Sequence, residues 1–263
     1  MKRKMMLVDV NLCHDCNNCF LACKDEHCGN DWEGQPRQPK HGHRWINILR
    51  KERGQFPMID MVFLPVMCMQ CDDAPCVAVG AGAVEKRPDG IVRINYKKIT
   101  GNDKLQEYCP YGAIYFNSEA NVPQKCDFCA HLLDEGEKEP RCVSVCPTGA
   151  LTFREVDESE YATLLENGWE VYGQARSTSV LYKNLDRFEK YFLGGSLVRS
   201  GDCAGNETVK LKQFGNVILQ ATSNAFGDFK FDFLEAGNYV VEVADREIEV
   251  ELNESMTIGD IEL

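Results

Sequence analysis

Fourteen cysteines are spread over 263 residues, and twelve of them fall into runs whose spacing carries chemical meaning. Thiolates are soft metal ligands, and their separation along the chain decides what they can enclose. The first run is Cys13-x2-Cys16-x2-Cys19-x3-Cys23. At that spacing three thiolates can wrap one [4Fe–4S] cluster while the fourth reaches a second. Cys68-x2-Cys71-x4-Cys76, then Cys109-Pro110, then Cys126-x2-Cys129-x12-Cys142-x3-Cys146-Pro147 complete the set. Structural zinc normally takes separated pairs of ligands, which a four-thiolate run does not match. Disulfides suit small secreted domains with little core, and neither this length nor the start MKRKMMLVDVN fits that class.

The gaps in the pattern are informative. A full second run would place a cysteine four residues after Cys76, where Gly80 stands. A run ending at Cys109 would need cysteines where Ile99, Asn102 and Leu105 stand. In paired-cluster arrangements the fourth cysteine of one run serves the cluster held by the other, so these absences all belong to one lost cluster. The remaining twelve cysteines suffice for three. Cluster one takes Cys13, Cys16, Cys19 and Cys146; cluster two takes Cys126, Cys129, Cys142 and Cys23; cluster three takes Cys68, Cys71, Cys76 and Cys109. Cys28 and Cys203 sit at no run spacing and read as free thiols.

These ligands need short elements to position them. MMLVDV (5–10) reads as a strand, NCFLACKDE as a helix beginning inside the first run, and Asp89-Gly90 followed by IVRIN as a turn and strand. Cys109-Pro110-Tyr111-Gly112-Ala113-Ile114 and Cys146-Pro147-Thr148-Gly149-Ala150-Leu151 form an internal repeat. In each copy Pro stops a helix, Gly permits a tight turn, and an apolar strand leaves the cluster. From about Leu197 the composition changes: VKLKQF, VILQAT, DFKFDF and YVVEVA alternate between turn signals such as NAFGDF and LEAGNY. The expected fold is therefore α+β: a ferredoxin-like repeat domain over residues 1–196 that binds [4Fe–4S] clusters, then a small all-β sandwich or barrel over 197–263. The stretch YKNLDRFEKYFL (182–193) has apolar residues at helical spacing and reads as packing.

The rest of the chain narrows the partners. A formal charge of −12 repels nucleic acid and anionic lipid, and no apolar run is long enough to cross a bilayer. A soluble, cytoplasmic chain without its own signal peptide is expected, export on a partner's signal remaining an alternative. HGHRWINILRKERGQFP is basic and aromatic in an acidic protein. It reads either as a solvated loop over the clusters or as one wall of a partner interface. His41 and His43 are not needed as ligands, because the thiolates already form complete sets.

The four-run arrangement with its Cys-Pro-x-Gly motifs resembles, over about residues 1–155, the iron–sulfur electron-transfer subunits of the dimethyl sulfoxide reductase family of molybdenum enzymes. The lost cluster, HGHRWINI, RKERGQFP, YKNLDRFEKYF and the C-terminal β-region look more narrowly like the small subunits of pyrogallol–phloroglucinol transhydroxylases, with catechol dehydroxylases and resorcinol hydroxylases close alternatives. The resemblance implies a heterodimer whose large molybdopterin (bis-molybdopterin guanine dinucleotide) subunit performs the aromatic chemistry, while this chain carries electrons and holds no catalytic residue. The alternatives are a subunit of another enzyme of that family, a free-standing polyferredoxin, or a zinc-stabilised scaffold.

Overall fold

The computed structural model describes residues 2–30, 32–174 and 177–263. The chain divides into two compact units, Met1–Leu49 with Phe63–Leu185, and Arg50–Val62 with Asp186–Leu263. In the first, the strand Arg3–Asp9 is central because Met5, Met6, Leu7 and Val8 are all buried, so both of its faces are covered. It pairs antiparallel with Leu151–Val156 and parallel with Val180–Lys183, which in turn carries Trp169–Glu170. The helix Glu158–Glu166 starts at a reciprocal cap between Asp157 and Glu160 and sets Tyr161 and Leu164 against Met5, Leu7 and Leu181.

Around this sheet the cysteines lie on or beside short helices: Cys19 and Cys23 on Asn18–Cys28, Cys76 on Pro75–Val79, Cys142 on Arg141–Ser144, and Cys129 at the N-terminus of Ala130–Asp134. Two hairpins join them, Val84–Lys86 with Val92–Ile94 and Ile114–Asn117 with Val122–Lys125. The turn at Asp89-Gly90 lies where the sequence places it, with Gly90 at φ 88°.

Three expectations need correction. HGHRWINILRKERGQFP is no solvated loop: Ile46–Gln55 is a strand paired with Met58–Met67. Trp45 and Arg53 are each 1% exposed, so neither is free to form a partner wall. In YKNLDRFEKYFL only Asp186–Glu189 is helical. Asn184, at φ 61°, breaks the chain direction, and sheet partners on either side claim Val180–Lys183 and Tyr191–Arg199. The expected boundary at 196/197 therefore falls inside a strand, and the second unit begins at Asp186 and includes the hairpin tip Arg50–Val62.

The second unit has two four-stranded sheets. Tyr191–Arg199 pairs with Asp202–Cys203, Asp228–Leu234 and Met256–Glu262; the other sheet runs Asn216–Thr222, Thr208–Gln213, Gly237–Val243, Arg246–Leu252. Alternation in these strands sends Leu193, Leu197, Phe229 and Phe231 from the first sheet, and Val209, Leu211, Val241 and Val250 from the second, into one apolar cluster. Among the described residues no helix is long and apolar enough to cross a membrane.

Candidate metal centres

Twelve of the fourteen cysteines gather into three neighbourhoods. Cys19 lies within reach of the charges of Cys13, Cys16 and Cys146. Cys142 has Cys129, Cys126 and Cys23 as neighbours, and Cys71 has Cys68, Cys109 and Cys76. The sets also adjoin in order: Cys23 and Cys142 both feel Cys19 of the first set, and Cys126 feels Cys68 of the third.

Left-handed backbone makes this gathering possible. Asp15 (φ 56°) and Asn17 (φ 60°) curl the first run, Gln70 (φ 52°) turns between Cys68 and Cys71, and Phe128 (φ 59°) and Cys129 (φ 51°) close the Cys126–Cys129 turn. Asp and Asn tolerate this region, whereas Gln and Phe do so at a cost, which marks these turns as held by their surroundings. The Asn17 amide donates to Asp15 O at 2.9 Å, fixing the first curl. Cys19 and Cys23, one turn apart on Asn18–Cys28 and both buried, then part to different sets.

Backbone N–H groups point at the sulfurs. Ala113 N donates to Cys109 Sγ at 3.3 Å and Phe128 N to Cys126 Sγ at 3.4 Å. In the second copy of the Cys-Pro-x-Gly repeat, Thr148 Oγ1 lies 3.7 Å from Cys146 Sγ. Gly112 (φ 59°) and Gly149 (φ 69°) make the tight turns of the two copies.

Burial first, then the neighbouring thiolates, pushes Cys19 and Cys71 up to about 12 and Cys76 to about 11, against the pull of local N–H groups. Cys23 and Cys142 are raised as well, by burial first and then by the neighbouring thiolates. Adjacent buried thiols do not ionise together without a positive centre, so the buried members of these groups, Cys19, Cys23, Cys71, Cys76, Cys129 and Cys142, call for a metal core. All fourteen cysteines are free of disulfides. Among the described residues no three His, Cys, Asp or Glu close on a single-ion position. An iron–sulfur cubane spreads its four thiolates over four irons and asks for such a wider set. A cavity lined by Cys68, Cys71, Cys76 and Cys109 along with Val92 and Ile114 has the apolar walls that suit it. The donor sets fit the group.

Three of the positions where a further set would need cysteines are tight or buried. A Cβ at Gly80 would lie 2.6 Å from Val84 Cγ2 and 2.7 Å from Cys76 O. Ile99 and Leu105 are 3% and 1% exposed, so both are packed as apolar core. Cys28 donates its thiol to Gln38 O at 2.9 Å, and Cys203 is exposed in the second unit. His43 stacks on Tyr115 and reaches Phe116 O at 3.2 Å, a packing role.

Sequence reasoning missed three buried polar residues at these sites. His27 Nε2 lies 3.6 Å from Cys129 Sγ and its Nδ1 lies 3.5 Å from the Gln35 amide nitrogen. Burial lowers its pKa to about 4, so the ring is neutral; Nδ1 accepts from Gln35 and Nε2–H is left to donate to sulfur. Its place one turn beyond Cys23 was the available signal. Glu26 accepts from His131 and Arg141, tying Asn18–Cys28 to the segments that carry Cys129 and Cys142. Lys125 is buried beside Cys126; burial would lower its pKa, but Cys68, Asp127, Cys76 and Cys126 together raise it.

Comparison with known proteins adds to this geometry. A family model described as "4Fe-4S dicluster domain" matches residues 59–156. The chain is 45% identical over 249 residues to the pyrogallol hydroxytransferase small subunit of Pelobacter acidigallici, covering 92% of this chain and 91% of that one. It is 36% identical over 184 residues to a thiosulfate reductase electron transfer subunit of Salmonella typhi, covering 68% and 91%. It is 31% identical over 176 residues to a subunit of the sulfite dehydrogenase of Allochromatium vinosum, covering 61% and 72%.

Proposed function

Since the chain belongs to the family of iron–sulfur electron-transfer subunits of molybdopterin oxidoreductases, we propose that its grouped cysteines hold three [4Fe–4S] clusters in the service of a large catalytic subunit carrying bis-molybdopterin guanine dinucleotide. Cys13, Cys16, Cys19 and Cys146 take the first cluster, Cys126, Cys129, Cys142 and Cys23 the second, and Cys68, Cys71, Cys76 and Cys109 the third. The observation that carries this reading is that thiols from distant stretches of sequence neighbour one another, Cys146 with Cys19, Cys23 with Cys142 and Cys109 with Cys71. Each cluster, when bound, takes up and passes on one electron. The chain's own residues hold the thiolates, donate N–H groups to the sulfurs and exclude water from them.

At finer resolution we read the first unit as a ferredoxin-like repeat, supported by the matched Cys-Pro-x-Gly turns at Cys109 and Cys146, and the second as a β-sandwich, supported by two sheets sharing one apolar cluster. The substrate class of the complex is polyphenolic, by transhydroxylation or reductive dehydroxylation. Likeness to the pyrogallol enzyme's subunit, which extends through the second unit, supports that choice.

The test is purification of the native complex, with metal analysis and an activity screen on di- and trihydroxybenzenes with and without a reductant. The expected result is a molybdenum-containing partner, about twelve irons per copy of this chain and turnover of a polyphenol. A chain that purifies alone and free of molybdenum would point instead to a free-standing polyferredoxin.

A further inference from the structure

Lys125 is 2% exposed. Its Nζ donates to the carbonyl of Val92 and, at 3.0 Å, to that of Cys126. Both partners are backbone carbonyls, and among the described residues its ammonium makes no ion pair with a carboxylate. The adjacent carboxylate, Asp127, lies 3.9 Å from Arg93 Nε and accepts from Ala130 N. Lys86 supplies the contrast. It also reaches cluster-run carbonyls, Gln70 O at 2.9 Å and Cys71 O at 2.8 Å, but Asp72 Oδ1 at 2.7 Å balances its charge.

A buried ammonium with no carboxylate in ion-pair contact is costly, so beyond the pull of Asp127 its charge calls for a further negative partner. Its position says what. Cys126 belongs to the second thiol set, while Val92 lines the cavity of the third. Gln70, 0% exposed, spans the same gap: its amide donates to Cys126 O at 2.9 Å and accepts from Val92 N at 2.7 Å. Lys125 and Gln70 thus build a partition between the two sets, each bridging the Cys126 carbonyl and Val92, with Cys68, Cys76 and Cys126 among the charges around the ammonium.

We propose that Lys125 is the shared counter-charge of the second and third clusters, raising the reduction potentials of both and keeping this adjacent pair matched for electron passage. The inference rests on the three-cluster reading above. A cluster held by four thiolates gains one negative charge on reduction, and a fixed positive charge in a low-dielectric partition favours that form. The hydrogen bonds of Lys125 reach the Cys126 carbonyl of the second set and Val92 on the wall of the third, so the proposal is confined to those two clusters.

Redox titration of the holo-complex followed by electron paramagnetic resonance tests it, on the wild type, Lys125→Met and Lys125→Arg, with iron measured on the same samples. Lys125→Met is expected to retain about twelve irons per chain, to lower the midpoint potentials of two clusters and to leave the remaining one in place. Lys125→Arg should stay at the wild-type values. Iron loss in Lys125→Met with full iron in Lys125→Arg also supports the proposal, since the charge then holds the clusters themselves. Unmoved potentials in Lys125→Met, an equal fall in all three clusters, or the same effect in both variants would overturn it. Wild-type iron that departs from three clusters would instead refute the underlying cluster reading, whatever the variants do.

Discussion

Glu26 is 4% exposed, its Oε1 accepting from His131 Nε2 at 2.9 Å and its Oε2 from Arg141 Nε at 2.8 Å. Burial alone would raise its pKa, but the hydrogen bonds and charges of Arg141 and His131 outweigh it and hold the carboxyl below its ordinary value. A depressed folded pKa contributes stability that is fully present above the unfolded value, about 4.3, and is lost as pH falls through the folded one. Acid unfolding of the wild type should therefore show a slope in this range that Glu26→Gln lacks. At neutral pH Glu26→Gln should cost about 1.5–3 kcal/mol, read from the denaturant midpoint. The thiols make a second expectation at this scale. Cys109→Ser should remove roughly a third of the iron, one cluster of three, while Cys203→Ser leaves the iron content unchanged; equal loss in both would break the assignment. The cysteines were legible in the sequence because a metal run is a local spacing. Glu26, His27 and Lys125 were not, because a charged or polar side chain becomes buried through partners that lie far along the chain, Arg141 for Glu26, Cys129 for His27 and Val92 for Lys125.

At the scale of elements, turns were easier to read than strands. NAFGDF was marked as a turn, and Gly227 shows why glycine is required there. It sits at φ 83°, and a Cβ would lie 2.2 Å from Leu197 O and 3.2 Å from Leu197 N. Its own carbonyl accepts from Leu197 N at 2.8 Å, so the turn cannot swing away without losing the link to Tyr191–Arg199. Gly227→Ala should cost about 2–4 kcal/mol through left-handed strain and overpacking, seen as a lower melting temperature of the second unit's transition in calorimetry; an unchanged transition would show that the turn can relax. Strands were missed where the local pattern was ambiguous. Arg246–Leu252 and Met256–Glu262 carry too many acidic residues to stand out, and the parallel pairing of Met256–Glu262 with Tyr191–Arg199 is settled by tertiary contact rather than propensity. The hairpin Ile46–Met67 was hidden by Arg50, Lys51 and Arg53. Arg53 is nevertheless buried, its guanidinium between Asp60 and Asp232.

For the molecule as a whole, the change in composition near Leu197 announced two units but placed their junction too late. The first strand of the second unit carries Gly194 and Gly195 in tight contact with Met58 and Phe229, and its alternation is interrupted there. A truncation after Ser196 would therefore leave Phe192 and Leu193, 1% and 0% exposed in the intact chain, without their sheet. That truncation should aggregate for reasons unrelated to metal. The informative cut removes Asp186–Leu263 and replaces the hairpin tip Arg50–Val62 with a short turn, following the boundaries of the second unit. The sole cysteine of that unit is Cys203, which is exposed and belongs to no thiol set. Every residue assigned to a cluster therefore stays in the trimmed chain. It should bind about twelve irons with the visible absorbance of the full-length protein, while its hold on the catalytic subunit weakens if the β-unit supplies part of that interface. Iron loss in a trimmed chain that still folds cooperatively would mean that the second unit helps to build the cluster sites.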